Sequence, residues 1–546
     1  MSRPGYRTEA GTLEAALEAW RQVLPPQAVI TEGAALRQAV ADTSALSRGI
    51  AAILRPASRD EVPALVRIAA AHRVPLYPVS TGRNWGYGTA CPPLDGCVLV
   101  DLSALQGIEC DPEAGLVTVE PGVTQRMLHA YLTQHGLRYM VPVTGAGPDV
   151  SLLGNALERG YGLTPIADHF AAVTQVEAVL PDGSLYQGCL TESGGAEVDR
   201  CFKWGLGPYL DGLFSQGAFG IVTRMTLALA PLPERVEAFF FGVAEDGGLE
   251  AAVAGVRDIL KTVGGVAGSI NLMNARRVLA MTVPYPWERV PVGGIMPQGL
   301  VAELARRHRI AAWTGVGALY GEAPLVRAAA RLVRRHLRGR VQRLVFLTPQ
   351  GARRLTRLVG LLPGGGGALG VVAARVDKTL RLLRGEPSDI ALPLAYWRSG
   401  VDAGMGDPAR DGCGLIWYPP LVPMIPERVR RYVELVHEVC PAYGMEPLIT
   451  LSSLSPRCFD STLPLLFRRD DPAEAARAEA CYQALVERGR QEGFLPYRLR
   501  AQYMHVFTEA DTVAWRLVGR LKQAIDPAGI LAPGRYAPSG EGRPQS

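Results

Sequence analysis

A chain of 546 residues, 48% hydrophobic and 20% charged, holds enough apolar material for two or three cores and too much for an extended disordered tail. Its net charge of +5 leaves no nucleic-acid footprint: the one dense basic run, Arg327 to Arg343, carries Leu332, Val333 and Leu337 at helical spacing and reads as one face of a packed helix. No stretch of about twenty apolar residues occurs, and Met1 to Ile30 lacks the basic start and continuous apolar core of a secretory signal, so a cytoplasmic protein with no membrane attachment is expected.

In chain order, the first clear element is a helix opened by Ser58-Arg-Asp-Glu61, a capping box in which each end side chain satisfies an exposed backbone donor. A strand over Val74 to Val79 follows, and then Pro78-Val-Ser-Thr-Gly-Arg-Asn-Trp-Gly-Tyr-Gly88. Glycines at 82, 86 and 88 let backbone approach a ligand, Ser80, Thr81 and Asn84 offer donors, and Arg83 adds fixed positive charge, which together suit a pyrophosphate. Short strands are expected at Cys97–Asp101 and Leu116–Glu120, then a helix from Thr124 with Met127, Leu128, Tyr131 and Leu132 on one face and a stop at Gly136.

Mixed α and β patterns run from Ala51 to about Leu232. From about Pro233 to Pro496 the character shifts to strands such as Ala238–Gly242 and longer helices rich in Ala, Arg and Leu, which indicates a second domain. The segment Leu361 to Gly370 contains a GxGxxG through Gly365, Gly367 and Gly370, but it follows Pro363 without a strand and lacks an acidic ribose partner, so it reads as a loop and not as a Rossmann turn. Asp526 to Tyr536 has turn chemistry at both ends and is expected to return to the first domain. Nine scattered cysteines with no CxxC pair and no histidines at ligand spacing indicate reduced thiols and no metal site.

Six segments in order carry a resemblance: Gly82-Arg-Asn-Trp-Gly-Tyr-Gly88; Leu153-Gly-Asn-Ala-Leu-Glu-Arg-Gly160 with Thr164-Pro-Ile-Ala-Asp-His169; Gly207-Pro-Tyr-Leu-Asp-Gly-Leu-Phe-Ser-Gln-Gly217; Gly317-Ala-Leu-Tyr-Gly321; Tyr497-Arg498; and Asp526 to Arg535. Together they resemble the vanillyl-alcohol oxidase and p-cresol methylhydroxylase flavoprotein family from about residue 50 to 536. The resemblance implies an α+β fold in which a two-part FAD-binding domain, 1–232 and 497–546, carries an inserted α+β substrate (cap) domain at 233–496. It implies FAD held by Ser80, Thr81, Gly82, Arg83, Asn84 and Gly88, by Gly154, Asn155, Arg159 and Gly160, by Gly217, Gly220 and Ile221, and by Arg535. It further implies a small para-substituted phenol bound as its phenolate by Tyr87, Tyr497 and Arg498, a logic that stands by itself: a phenol with pKa near 10 is ionised at neutral pH only where a guanidinium and hydroxyl donors stabilise the anion in a dry pocket. Loss of a benzylic hydride would then give a quinone methide, and a hydroxylated or carbonyl product. Electrons would pass to oxygen or to a cytochrome c, and the protein is expected to be a homo-oligomer, a homodimer in the simplest case.

The chain departs from the family pattern in two places. Where the oxidase has a flavin-linked histidine, Asp411-Gly-Cys-Gly-Leu-Ile-Trp-Tyr-Pro419 offers Gly414, so no histidyl attachment is expected. A tyrosyl ether through Tyr396 and noncovalent FAD stand as equal alternatives, ahead of Tyr418 and Cys413. The oxidase's aspartate near the flavin follows a Val-Pro pair; here Val141-Pro142 is followed by a stretch three residues longer ending at Asp149, the expected base, with Asp402 and Asp411 as substitutes. His169 and His505 read as structural. Two other functions remain open: an FAD-dependent oxidase of a hydroxy acid or sugar, and a non-catalytic flavin electron-transfer protein.

Overall fold

The computed structural model describes residues 10–45, 48–360, 376–402, 404 and 406–538, so the glycine tetrad 364–367 lies outside the described residues. The capping box forms: Ser58 Oγ accepts from the Asp60 amide at 3.2 Å, and Glu61 accepts from the Ser58 amide at 3.2 Å. The helix Val62–His72 then buries Val62, Leu65, Val66 and Ala69. The Val74 amide closes this helix by donating to the Ala69 carbonyl at 2.9 Å, which is why the following strand begins two residues later than its hydrophobicity suggests.

Four strands, β1 (Val29–Ile30), β2 (Ala52–Leu54), β3 (Leu76–Val79) and β4 (Val98–Asp101), form a sheet in the order β1-β2-β4-β3, with β2, β4 and β3 parallel. Its free edge is taken by the chain's last segment. The Leu76 amide donates to the Ile530 carbonyl at 2.7 Å and the Ala532 amide to the Leu76 carbonyl at 2.8 Å, so Asp526–Tyr536 returns to this sheet, as its turn chemistry implies.

Seven further strands follow: β5 (Ile108–Asp111), β6 (Leu116–Val119), β7 (Tyr139–Met140), β8 (Val173–Val179), β9 (Leu185–Tyr186), β10 (Ile221–Ala228) and β11 (Ala230–Pro231). Five make an antiparallel sheet in the order β5-β6-β10-β8-β9, and β7 pairs with β11. The expected helix runs over Gln125–Gln134. Thr124 Oγ1 caps it by accepting from Met127 N at 3.2 Å, Leu128 and Leu132 are buried, and Gly136 leaves it at φ +65°.

The largest sheet has eight strands: β12 (Arg235–Val243), β13 (Asn271–Asn274), β14 (Trp313–Gly321), β15 (Arg343–Leu347), β16 (Cys413–Tyr418), β17 (Leu421–Pro423), β18 (Thr450–Ser455) and β19 (Cys458–Arg468). Their order is β15-β12-β14-β13-β18-β19-β16, with β17 also on β19. Period-two alternation divides it into two faces. Phe239, Phe241, Leu272, Leu451, Phe459, Leu463, Leu465, Phe467, Ile416 and Tyr418 belong to one buried core with residues of the helices Leu249–Val263, Ala323–Leu337, Pro426–Ala442 and Pro472–Glu492. The register assigns Asn271, Met273, Thr450, Ser452, Asp460, Thr462 and Trp417 to the other face. This second face is markedly more polar, and it is the face on which the candidate site is built. Among the described residues no helix is long and apolar enough to cross a membrane.

Candidate active site

The loop leaving β3 is stitched on both sides. The Gly86 amide donates to Thr43 Oγ1 at 2.9 Å, the Trp417 amide at the end of β16 donates to the Gly86 carbonyl at 3.2 Å, and the Ala501 amide donates to the Tyr87 carbonyl at 3.0 Å. Both neighbouring glycines are required by this closeness: a Cβ on Gly86 (φ +77°) would stand 2.3 Å from the Trp417 ring, and one on Gly88 (φ +109°) 2.9 Å from Ala501 Cβ. On the far side the Tyr497 amide donates to the Pro419 carbonyl at 3.2 Å. Positions 87, 417 and 497, remote along the chain, are thereby held against one another.

Arg498 is the centre of the cluster. Its guanidinium carbon lies 4.2 Å from the centroid of the Tyr87 ring, its Nε lies 3.2 Å from Glu158 Oε2, and its Nη2 donates to Asn84 Oδ1. Tyr497 packs edge-on to Tyr161 with ring centroids 5.3 Å apart. Burial pushes the Tyr87 and Tyr497 hydroxyls well above their usual pKa while Arg498 opposes the shift, so both remain protonated donors. Asp460, near the start of β19, is 2% exposed and has an Oδ1 without a hydrogen-bond partner among the described residues. Burial raises its pKa to about 7 against the pull of Arg498, and its charge in turn raises Tyr87 and Tyr497, which puts it in the same cluster.

Sequence reasoning singled out neither Asp460 nor Glu158. A visible signal existed for the first: Asp460 is the only acid in the otherwise apolar and hydroxyl-bearing run Cys458–Phe467. Glu158 lies inside a quoted motif, but only the three-dimensional packing reveals that it serves arginines 340 and 377 residues away.

The candidate cofactor residues form one continuous strip. The backbone from Ser80 to Asn84 leaves the β3–β4 ladder, and the Ser151 amide donates to Thr81 Oγ1 at 3.2 Å. A Cβ on Gly154 would stand 2.4 Å from Ser80 Oγ, so the helix Leu152–Leu157 packs directly on the loop. Arg159 Nε donates to Ser215 Oγ at 2.9 Å, joining Asn155–Gly160 to the turn that leads through Gly217 and Gly220 to Ile221 at the start of β10. A cavity of about 430 Å³ opens beside this strip, lined among others by Ser80, Thr81, Gly82, Arg55 and Arg410. Its small donors suit a diphosphate, while its two guanidiniums are each paired with a carboxylate of the same wall, Arg55 with Asp101 at 2.9 Å and Arg410 with Asp407 at 3.8 Å.

Other expected residues sit differently. Asp149 is no free base beside Tyr87: the longer 143–149 stretch carries it to the helix Gln125–Gln134, where Arg126 donates to its two oxygens at 2.7 and 3.2 Å and Arg83 lies at 3.6 Å. The Arg126 hydrogen bond holds its carboxyl below the usual range. Arg535 turns onto Glu158 and donates to the Tyr77 hydroxyl at 3.2 Å, so it braces Arg498 through the shared carboxylate. Tyr396 donates to Asp411 Oδ2 at 2.6 Å and packs in the cluster that contains Trp85. Gly414 faces the Phe467 backbone, whose carbonyl oxygen would lie 2.2 Å from any Cβ there. His169 Nδ1 lies 2.5 Å from Asn155 Nδ2, and burial lowers its pKa to about 4, which keeps it neutral.

Residues 50–188 match the FAD binding domain family. The chain is 39% identical over 530 residues to the 1'-carboxy-chondrochloren decarboxylase of Chondromyces crocatus, spanning 96% of this chain and 97% of that protein. It is 28% identical over 485 residues to the 4-cresol dehydrogenase (hydroxylating) flavoprotein subunit of Pseudomonas putida, spanning 87% and 85%. A crystal structure of p-cresol methylhydroxylase with substrate bound is similar over 97% of both chains, at 25% identity and a TM-score of 0.85.

Proposed function

The chain belongs to the vanillyl-alcohol oxidase and p-cresol methylhydroxylase flavoprotein family and has its α+β FAD-binding fold, and from that premise we propose that this FAD-dependent oxidoreductase removes a benzylic hydride from a para-substituted phenol bound as phenolate. The observation that carries this reading is the convergence of Tyr87, Tyr497 and Arg498, with the Arg498 guanidinium 4.2 Å from the Tyr87 ring centroid. A hydroxy-acid or sugar oxidase, or a flavoprotein that only passes electrons, has no need of that cluster. The same reading takes 1–232 and 497–546 as the cofactor-binding portions and 233–496 as the cap.

The residues present fit FAD. Ser80 to Asn84 and Gly88 would hold the diphosphate, with Gly154, Asn155, Arg159, Gly160 and the turn Gly217–Ile221 around the rest of the cofactor. When bound, FAD supplies the two-electron hydride acceptor.

Arg498 neutralises the phenolate oxygen, and Tyr87 and Tyr497, kept protonated by burial, donate to it. Asp460, with a pKa raised to about 7, takes up the phenolic proton, which also removes a charge unfavourable beside the new anion. Negative charge on the oxygen drives electron density through the ring, and the benzylic hydride departs to leave a quinone methide. Water addition to the benzylic carbon would give a 4-hydroxybenzylic alcohol, and a substrate that is already the alcohol would give a carbonyl product.

A second fate is favoured by the 39% identity to a decarboxylase. Where the carbon next to the benzylic one bears a carboxylate, its C–C bond breaks, CO2 leaves, and the bond pair becomes the new C=C while the ring regains its phenolate. This needs no base to activate water, in keeping with an Asp149 already engaged by Arg126. Oxygen or a cytochrome c would serve as the final electron acceptor.

Anaerobic mixing of the holoprotein with 4-alkylphenols and 3-(4-hydroxyphenyl)propanoates tests the reading. Bleaching of the oxidised flavin band is expected, and Arg498→Ala should slow it at least about a hundredfold with FAD retained. An unchanged spectrum with every phenol would sink the assignment, and styrene plus CO2 against benzylic alcohol distinguishes the two fates.

A further inference from the structure

Asn274 caps the short helix Ala275–Ala280 that follows β13, and this helix carries two adjacent buried arginines with opposite circumstances. Arg276 is paired: its Nη1 lies 2.6 Å from Glu446 Oε2, and its Nη2 donates to the Met296 carbonyl at 2.9 Å. Glu446 is saturated, since it also accepts from Tyr285 Oη and the Met296 amide.

Arg277 is equally buried, at 8% exposure, yet its one side-chain hydrogen bond among the described residues is from Nε to Thr450 Oγ1 at 3.0 Å. Its Nη1 is buried without a partner. Burial alone lowers its pKa, to about 10, with no carboxylate working in the other direction. A buried guanidinium with no counter-ion is costly, and a fold retains such a group where an anion from outside completes it.

The register says where that anion would lie. Thr450 pairs with Thr462 and Ser452 with Asp460, so Thr450 and Asp460 are diagonal neighbours on the polar face of the eight-stranded sheet, roughly 7–8 Å apart. Asp460 interacts electrostatically with Arg498 and with both tyrosines. Through Thr450, Arg277 therefore stands on the same face as Asp460, one diagonal step removed.

We infer that Arg277, with Thr450 beside it, binds the carboxylate of a phenolic acid whose hydroxyl end is held by Tyr87, Tyr497 and Arg498. The inference rests on the phenol reading above and adds to it the class of substrate: a 4-hydroxyphenyl compound with a carboxylate a few bonds beyond the benzylic carbon. Such an ion pair would bind and orient the carboxyl group before its C–C bond breaks; as neutral CO2 leaves, the negative charge passes to the re-formed phenolate at the other end of the substrate.

Holoprotein reduced beforehand with dithionite, so that no turnover occurs, is titrated anaerobically in a calorimeter with 3-(4-hydroxyphenyl)propanoate, 4-propylphenol and 3-phenylpropanoate. Wild type should bind the hydroxy acid at least about tenfold more tightly than 4-propylphenol. Arg277→Gln should erase that preference, weakening the acid at least about tenfold and 4-propylphenol less than about twofold, and Arg277→Lys should restore part of it. The inference is overturned if wild type shows no preference for the acid or does not bind it, if Arg277→Gln leaves acid binding unchanged, or if it weakens both phenols alike. Should 3-phenylpropanoate bind as tightly as the hydroxy acid and still depend on Arg277, the phenolate reading falls and the carboxylate site stands. A wild type with no preference for the acid overturns the inference even where a variant folds poorly.

Discussion

Glu158 holds Arg498 and Arg535 on one carboxylate: its Oε2 lies 3.2 Å from Arg498 Nε, and its Oε1 accepts from Arg535 Nη2. A single acid at the end of the first 160 residues thus orients two guanidiniums from the last fifty. Removing it leaves two largely buried cations without compensation, a loss of about 3–5 kcal/mol. Glu158→Ala should lower the thermal midpoint of the holoprotein and slow flavin reduction by phenols together, whereas Glu158→Gln, which keeps acceptor capacity on one side, should lie between. Thermal unfolding alongside anaerobic stopped-flow checks both.

Asp460 predicts a pH dependence. Its proton is lost near 3.8 in an unfolded chain and near 7 in the folded one, so the folded protein holds the additional proton between those values. Folding stability is then highest at the acid end of this window and falls as the pH rises toward 7, by at most ~4 kcal/mol for this group. Denaturant unfolding at several pH values between 4.5 and 8 should show the decline in wild type and a shallower one in Asp460→Asn. Flavin reduction should rise through about pH 7 in wild type, and a variant that keeps this rise would remove Asp460 from proton transfer.

Gly86 tests the stitching of the loop. At φ +77° with the Trp417 ring 2.3 Å from where a Cβ would sit, Gly86→Ala combines backbone strain with overlap, about 1–3 kcal/mol. Because Trp417→Ala forfeits packing of its own, the test is a double-mutant cycle: Gly86→Ala should cost less stability in the Trp417→Ala background than in wild type, since the overlap is gone and only the strain is left. The same cost in both backgrounds would mean that the loop and β16 do not press on each other.

Asp149→Asn should change the flavin reduction rate by less than about twofold, because Arg126 and Arg83 already occupy this carboxylate. A drop of a hundredfold in stopped-flow reduction would return Asp149 to the role of base.

Local chemistry made much of this protein legible in advance. The capping box at Ser58–Glu61, the glycine-rich loop beyond β3, the Thr124 cap and the turn that returns Asp526–Tyr536 are decided by residues within a few positions of one another, and all appear in the structure. The six ordered motifs likewise carry the family, because each is a short run whose residues stand within a few positions of one another. What sequence could not decide was which charges meet. Local spacing points to Asp149 as the base, but the longer stretch before it places it on Arg126. Glu158 and Asp460 join the site only because β19, the helix Leu152–Leu157 and the Tyr497–Arg498 segment pack together across hundreds of residues. The state of Arg277 is of the same kind: that a buried arginine lacks a counter-ion among the described residues is a property of everything packed around it, and no stretch of chain states it alone.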